Sequence, residues 1–173
     1  MPPTTDWIPF DYVFQRFRAR LDGLTDAEYL WRPVAGCWTV EATPDGRLRA
    51  HRERPEPDPP PLTTIAWRMA HIGDVLGEER NWRWLGREPH GRDRDADHPM
   101  TAAGGIAYVD GSYAAWSGLV ASLSEEELWR PLGPIAGPYS DEPILSFVMH
   151  ILDELIHHAA EVGVMRDLYA ALA

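Results

Sequence analysis

The feature that most constrains the fold is a long apolar segment with no internal proline. From Pro143 to about Tyr169 it reads PILSFVMHILDELIHHAAEVGVMRDLY. Its apolar side chains cover most of a helical circumference and its ionisable side chains form one stripe, which is typical of a helix buried on most sides. We therefore expect residues 143–169 to form the central helix of a helical protein.

Three more amphipathic helices are predicted because apolar residues recur at spacings of three and four positions. They are expected near residues 9–23, 62–85 and 107–122. Thr25 and Ser124 are each followed three positions later by Glu, which predicts short, capped helical turns in the similar segments LTDAEYLWRP and LSEEELWRP. Four long helices with too few strands for a sheet predict an all-α fold, a four-helix bundle in one domain over residues 1–173.

Residues 36–61 interrupt this helical pattern between the first and second helices. Short alternating runs flank Pro44-Asp45-Gly46, which is a turn signal, and a proline-dense stretch, RERPEPDPPP, follows. We predict an excursion from the bundle here, either an irregular loop or a small β-hairpin.

Charge and cysteine content exclude several classes of function. The formal net charge is −11, every basic residue is Arg, and no basic stripe is present, which disfavours nucleic acid and anionic membrane surfaces as partners. No secretory signal or membrane-length apolar run is evident, so a cytoplasmic location is expected. The one cysteine, Cys37, is interpreted as a small buried hydrophobe, and any metal must be held by His and carboxylate side chains.

Ionisable residues recur one helical turn apart on the predicted last helix. His150, Glu154 and His158 stand at i, i+4 and i+8, and they share a band about 80° wide. A solvated stripe would be the ordinary interpretation, but burial of such groups on a central helix is costly without partners. We therefore favour a metal site. Three neighbours flank this ladder: Asp153, His157 and Glu161.

A candidate ligand also lies on the second helix. By itself, His71 in the apolar stretch IAWRMAHI would be interpreted as a hydrogen-bonded core histidine. The ladder on another helix favours a metal-ligand role instead. With Glu154 and His158, His71 gives two imidazoles and one carboxylate, a set that suits zinc, nickel, iron or manganese and leaves positions for water or substrate. A ligand set shifted to Asp153 and His157, or a supporting role for these two, stays open, as does participation of His150.

Three stretches carry a resemblance to a known family: AHIGDVLGEERNWRWL, MHILDELIHHAAEVGVMRDLY and the two Trp-Arg-Pro connectors. Over most of its length the chain resembles the DinB-like or YfiT-like metal-binding bundles, which include mycothiol- and bacillithiol-dependent S-transferases. Family members commonly present one His on the second helix and a His-x3-His pair on the last. By position these ligands fall on His71, Glu154 and His158, with Glu154 standing where the family has His.

The resemblance implies a metal-dependent thiol S-transferase that acts on a small-molecule substrate with an exogenous low-molecular-weight thiol. Mycothiol is the first candidate, because the Arg-only composition suggests a GC-rich genome. The alternative is a non-catalytic bundle that binds a metal or small molecule through a degenerate site. No catalytic residue is assigned, and whether the protein is a homodimer stays open.

Overall fold

The computed structural model describes residues 8–90 and 96–172, which are mostly helical, so the predicted fold class is confirmed. In chain order the elements are α1 (Ile8–Arg20), α2 (Asp26–Tyr29), β1 (Val40–Ala42), β2 (Leu48–Ala50), α3 (Ile65–Gly77), α4 (Glu79–Trp84), α5 (Ala102–Ala121), α6 (Glu125–Leu128), a 3-10 segment (Pro134–Tyr139) and α7 (Ile144–Leu172). The long helices α1, α3, α5 and α7 correspond to the four that the apolar spacing predicts.

Helix α7 is less enclosed than its composition suggests. It packs against α3 and α1, and its buried side chains include Ile151 and Leu155. Its remaining face exposes large apolar side chains: Met149, Ile156, Val164, Leu168 and Leu172. The expectation of burial around most of the circumference was too strong, because packing against two neighbours covers only part of a helix. None of the described helices, α7 included, combines the length and apolar character needed to cross a membrane.

The helix predicted over residues 62–85 is two helices in the structure. It begins at Ile65, where the Thr64 side chain accepts a hydrogen bond from the Trp67 amide. It is interrupted at Glu78, whose backbone is extended. The Asn81 amide then donates to the carbonyls of Val75 and Leu76 at 2.8 and 3.2 Å, so a side chain satisfies the end of α3. This break turns α4 away from the axis of α3.

The two connectors and the excursion follow the prediction. Thr25 and Ser124 cap α2 and α6, and Ser124 forms a full capping box. Strands β1 and β2 pair as an antiparallel hairpin around a turn at Gly46, where φ is 80°. The hairpin is tied to the start of α3 because Trp38 exchanges backbone hydrogen bonds of 2.9 Å with Leu62 and Thr64. The excursion therefore forms a wall beside α3.

A close approach between α3 and α5 depends on Gly73. A Cβ atom built at this position would lie 2.0 Å from Cε1 of Tyr108. Only the hydrogen of glycine leaves room for the aromatic ring, so Tyr108 can lie flat over α3 and reach the next residue, Asp74. The helix carrying His71 is thereby fixed against α5.

Candidate metal centre

Three side chains from two helices converge beside α3 and α7. His71 lies on α3, Glu154 and His158 lie on α7, and each offers one donor atom within 4.8 Å of the other two. Oε2 of Glu154 lies 3.4 Å from Nε2 of His71 and 3.2 Å from Nε2 of His158. Donors about 2.1 Å from one tetrahedral ion are about 3.4 Å apart, so these two spacings match a shared first coordination sphere. The three side chains are all partly buried.

His158 is oriented by a carboxylate on its far side. Its Nδ1 lies 2.6 Å from Oε2 of Glu161, one turn further along α7. Because a carboxylate only accepts, Nδ1 donates to Glu161 and Nε2 donates to Glu154 when no ion is bound; a metal at Nε2 would take the place of the proton there while Nδ1 keeps its own. The guanidinium of Arg68 binds the same Glu161 oxygen at 2.9 Å. The chain Arg68–Glu161–His158 is the arrangement that orients metal-binding histidines in proteins.

His71 is held by aromatic packing. Its ring stacks on Trp67, with ring centres 5.3 Å apart and an interplanar angle of 14°. It meets the His158 ring edge to face at 4.5 Å. Trp67 stands one turn before His71 on α3, so local helix geometry sets the stack, and its indole N–H donates to the carbonyl of His51 at 2.8 Å. The imidazole is thus fixed toward α7.

The carboxylates of the site stay ionised. The hydrogen bond with His71 and the neighbouring His158 lower the pKa of Glu154 to about 2, although burial opposes the shift. Burial alone would raise the pKa of Glu161, but the hydrogen bond with His158 and the charge of Arg68 outweigh it and lower this pKa. Both groups therefore present negative charge at neutral pH, as a cation site requires.

The three donors face a cavity of about 460 Å³. One wall is aromatic, formed by Trp38 and Trp67, and another is the proline-dense segment after β2, which contributes Arg52 and Arg54. Such a volume accommodates a small molecule with a limited number of polar contacts. An ion bound by the three donors would have open coordination positions that face this cavity.

The remaining ionisable residues proposed on the last helix lie outside this group of three donors. His150 is 54% exposed, and its Nε2 lies 3.9 Å from the second oxygen of Glu154, Oε1. Asp153 is exposed on the outer side of α7. His157 is exposed and pairs with Glu161 at 3.2 Å, so His157, His158 and Glu161 form a second compact group of donors. The shifted pair Asp153 and His157 is not brought together with His71.

Cys37 and the tryptophans are mostly structural. Cys37 is buried and lines a separate cavity beside β1 rather than the space in front of His158. Trp82 and Trp116 are buried in the core, whereas Trp67 both packs in the core and borders the donors. The interpretation of Cys37 as a small hydrophobe is consistent with its burial.

A partly buried polar network beside the donors was missed by the sequence analysis. Asp74 accepts hydrogen bonds from Nε2 of His98 at 3.0 Å and from the Tyr108 hydroxyl at 2.5 Å, and Arg52 binds its other oxygen at 3.0 Å. His98 receives the Ala50 amide on Nδ1, so its Nε2 is the donor. The one available signal was the position of Asp74 three residues after His71, on the same helix face. The network anchors Arg52 at the cavity rim.

Comparison with known proteins identifies one family. The model of the DinB superfamily matches residues 10–162, which is most of the chain and includes all three donors. No curated protein and no solved structure matches the sequence significantly. The donor set and the match together fit a metal-binding protein of this family.

Proposed function

This chain belongs to the DinB superfamily, and from that premise we propose that it binds one divalent transition metal through His71, Glu154 and His158 and transfers a low-molecular-weight thiol to an electrophile. The observation that carries the proposal is the convergence of three donor atoms within 4.8 Å at the edge of a cavity of about 460 Å³. Two imidazoles and one carboxylate leave coordination positions for an exogenous ligand.

The donor set favours zinc, nickel, iron or manganese over calcium or magnesium, because two of its three donors are imidazole nitrogens. A bound ion would act as a Lewis acid, lowering the pKa of a thiol that reaches its open position. The two carboxylates of the site have distinct roles. Glu154 supplies one negative charge to the donor set, and Glu161 orients the His158 ring by accepting a hydrogen bond from its Nδ1.

In the reaction, the thiol would lose its proton to solvent and its sulfur would form a bond with an electrophilic carbon. The leaving group departs with the electron pair of the broken bond, so no oxidant or reductant is needed. Trp38 and Trp67 supply an apolar wall for the organic part of either reactant. Arg52, paired with the partly buried Asp74, supplies a positive charge at the rim.

The sulfur must come from outside the protein. Cys37 is buried and lines a different cavity, beside Glu41 and His51. A thiol that is neither exposed nor directed at the donors is poorly placed as a nucleophile. Mycothiol stays the first thiol to test, and cytoplasmic location and homodimer formation stay predictions.

One observation favours the alternative, a non-catalytic bundle with a degenerate site. Glu154 already lies within hydrogen-bond distance of both His71 and His158, so the three side chains satisfy one another as an ion-paired cluster. Such a cluster holds together without any ion. The two functions therefore differ in turnover, and metal content tests the donor set itself.

Metal content and thiol consumption test the proposal directly. We would purify the wild type without chelators, measure bound metals by elemental analysis, and follow loss of mycothiol with a panel of electrophiles. His158→Ala should lose stoichiometric metal and all thiol transfer, because two donors hold a divalent ion poorly against water. Cys37→Ser should keep both.

His150→Ala is the matched control, since it removes an imidazole from the same helix outside the three-donor group. It should retain the metal. Metal-free wild-type protein after incubation with each candidate ion would contradict the metal site. Stoichiometric metal without thiol consumption would favour the binding alternative, and activity lost in Cys37→Ser but kept in His158→Ala would assign the nucleophile to Cys37.

A further inference from the structure

A second cleft lies on the far side of His150 from the candidate metal centre. It has a volume of about 510 Å³ and lies between α4, the 3-10 segment and the start of α7. This volume is within the range of small-molecule sites. None of the three donors lines it, so it is a separate feature of the surface.

Aromatic rings form much of the lining of this cleft. The Trp84 ring lies 4.9 Å from Phe147 and 6.5 Å from Tyr139. Phe147 is buried beneath it, but Tyr139 is 58% exposed although it is a large aromatic side chain. An exposed ring beside a partly buried one offers flat apolar area to a ligand at little conformational cost.

The guanidinium of Arg80 lies over these rings and makes long polar contacts with its neighbours. Cζ of Arg80 lies 5.4 Å from the centre of Trp84 and 5.5 Å from that of Phe147. Its hydrogen bond to Asn81 is long, 3.4 Å, and its Nε forms an ion pair with Glu78 at 3.7 Å that is too long to be a hydrogen bond. Among the described residues it is the one charged side chain with a buried polar atom that lacks a hydrogen-bond partner.

A planar guanidinium fixed on aromatic faces is suited to a planar anion, because its paired N–H groups match the two oxygens of a carboxylate. Glu142 borders the same cleft and accepts a hydrogen bond from Ser146 at 3.3 Å. Its negative charge disfavours ligands with more than one anionic group. The chemistry therefore selects one carboxylate attached to an aromatic ring.

We propose that this cleft binds a small aromatic monocarboxylate, whose ring packs against Trp84 and Tyr139 and whose carboxylate pairs with Arg80. The site does not depend on the metal, since none of its recognition groups is a candidate ligand. His150 lies at the end of the cleft near Glu154, so a ligand here is one side chain away from the metal centre.

Binding can be measured with 6-fluoro-2-naphthoate by ¹⁹F NMR titration of the full chain. The protein is titrated as purified and after chelator treatment, because a carboxylate also binds metals. The affinity should be the same in both preparations. The neutral naphthamide and the cationic naphthylmethylamine of the same ring system should bind at least about tenfold more weakly, as expected for loss of a charge-assisted pair.

Arg80→Gln should weaken naphthoate binding about tenfold or more, and Tyr139→Ala tests the ring contact at a position whose side chain is mostly exposed. Arg83→Gln is the matched control, because Arg83 lies on the same helix and pairs with Glu79 outside the cleft. Absence of binding to the wild type, equal or better binding of the amide or amine, or full affinity in both Arg80→Gln and Tyr139→Ala would overturn the proposal. Binding that disappears with the metal would place the ligand at the other site and overturn it too.

Discussion

Nδ1 of His158 lies 2.6 Å from Oε2 of Glu161, one helical turn further along α7. This contact keeps a proton on Nδ1 of His158 and directs Nε2 toward Glu154 and His71. Because the two residues stand at i and i+3 on one helix, local helix geometry orients a candidate metal ligand. Its consequence for metal binding is testable.

Glu161→Gln should weaken metal binding by about 10- to 100-fold without removing a donor, since the amide holds the His158 ring less firmly and no longer supports its basicity. Competition with a chromophoric chelator measures the affinity. Glu125→Gln, an exposed acidic residue on α6, is the control and should leave the affinity unchanged. Equal affinities in all three proteins would show that the contact is not part of the metal site.

The pH dependence of stability should include a contribution from His51. Its two ring nitrogens lie 2.6 Å from Glu41 and 3.1 Å from Glu53, and the hydrogen bond to Glu41 raises its pKa. A raised pKa stabilises the folded state fully below the unfolded value of about 6.5, and this is lost as the pH rises through the folded value. The side chains are partly exposed and therefore screened by solvent, so less than about 1 kcal/mol is expected.

Urea unfolding of the wild type and Glu41→Gln at pH 5.5 and 8.5 measures the contribution of His51 to the free energy of unfolding. The variant should be less stable than the wild type at the lower pH, and the difference should shrink at the higher pH. A difference that grows with pH would contradict the assignment of an imidazolium to His51.

Removing the charge of Asp74 should destabilise the protein by about 2–4 kcal/mol, because Asp74→Asn leaves the donors of His98 and Arg52 poorly matched inside the structure. Burial opposes ionisation, but the hydrogen bond and charge of His98 lower the pKa of Asp74 on balance. Its contribution is therefore present above the unfolded pKa of about 3.9 and lost as the pH falls through the lower folded value.

The free energies of unfolding of Asp74→Asn, Tyr108→Phe and wild type, measured in urea at pH 7, test this prediction. Tyr108→Phe removes one hydrogen bond and should cost about 1 kcal/mol, less than the carboxamide. Equal stability of Asp74→Asn and wild type would show that the network is not a stabilising anchor.

Gly73→Ala should lower the stability by about 1–3 kcal/mol, because its methyl group would lie 2.0 Å from Cε1 of Tyr108 and force α3 and α5 apart. Gly111→Ala on α5 is the matched control, since nothing lies within 4 Å of its added methyl. It should raise stability by up to about 1 kcal/mol through helix propensity. Thermal unfolding of both variants separates the steric effect from the propensity effect.

Local periodicity was sufficient to predict the four long helices and the capped connectors, although not the break at Glu78 that separates α4 from α3. The i, i+4 spacing of Glu154 and His158 also placed them on one face, because 3.6 residues per turn sets that relationship without any tertiary contact. The family resemblance, carried by the stretches around these residues, agrees with the superfamily match over residues 10–162.

Tertiary structure decided what periodicity could not. Whether His71 faces the ladder depends on how α3 packs against α7, and the choice of Glu161 over Asp153 as the partner of His158 depends on which side of α7 the bundle covers. The break at Glu78 arises from an Asn81 side chain that bonds the α3 carbonyls, and the Asp74–His98 pair joins residues distant in sequence. Such contacts follow from the position of whole helices, whereas the sequence pattern specifies only which face of each helix is apolar.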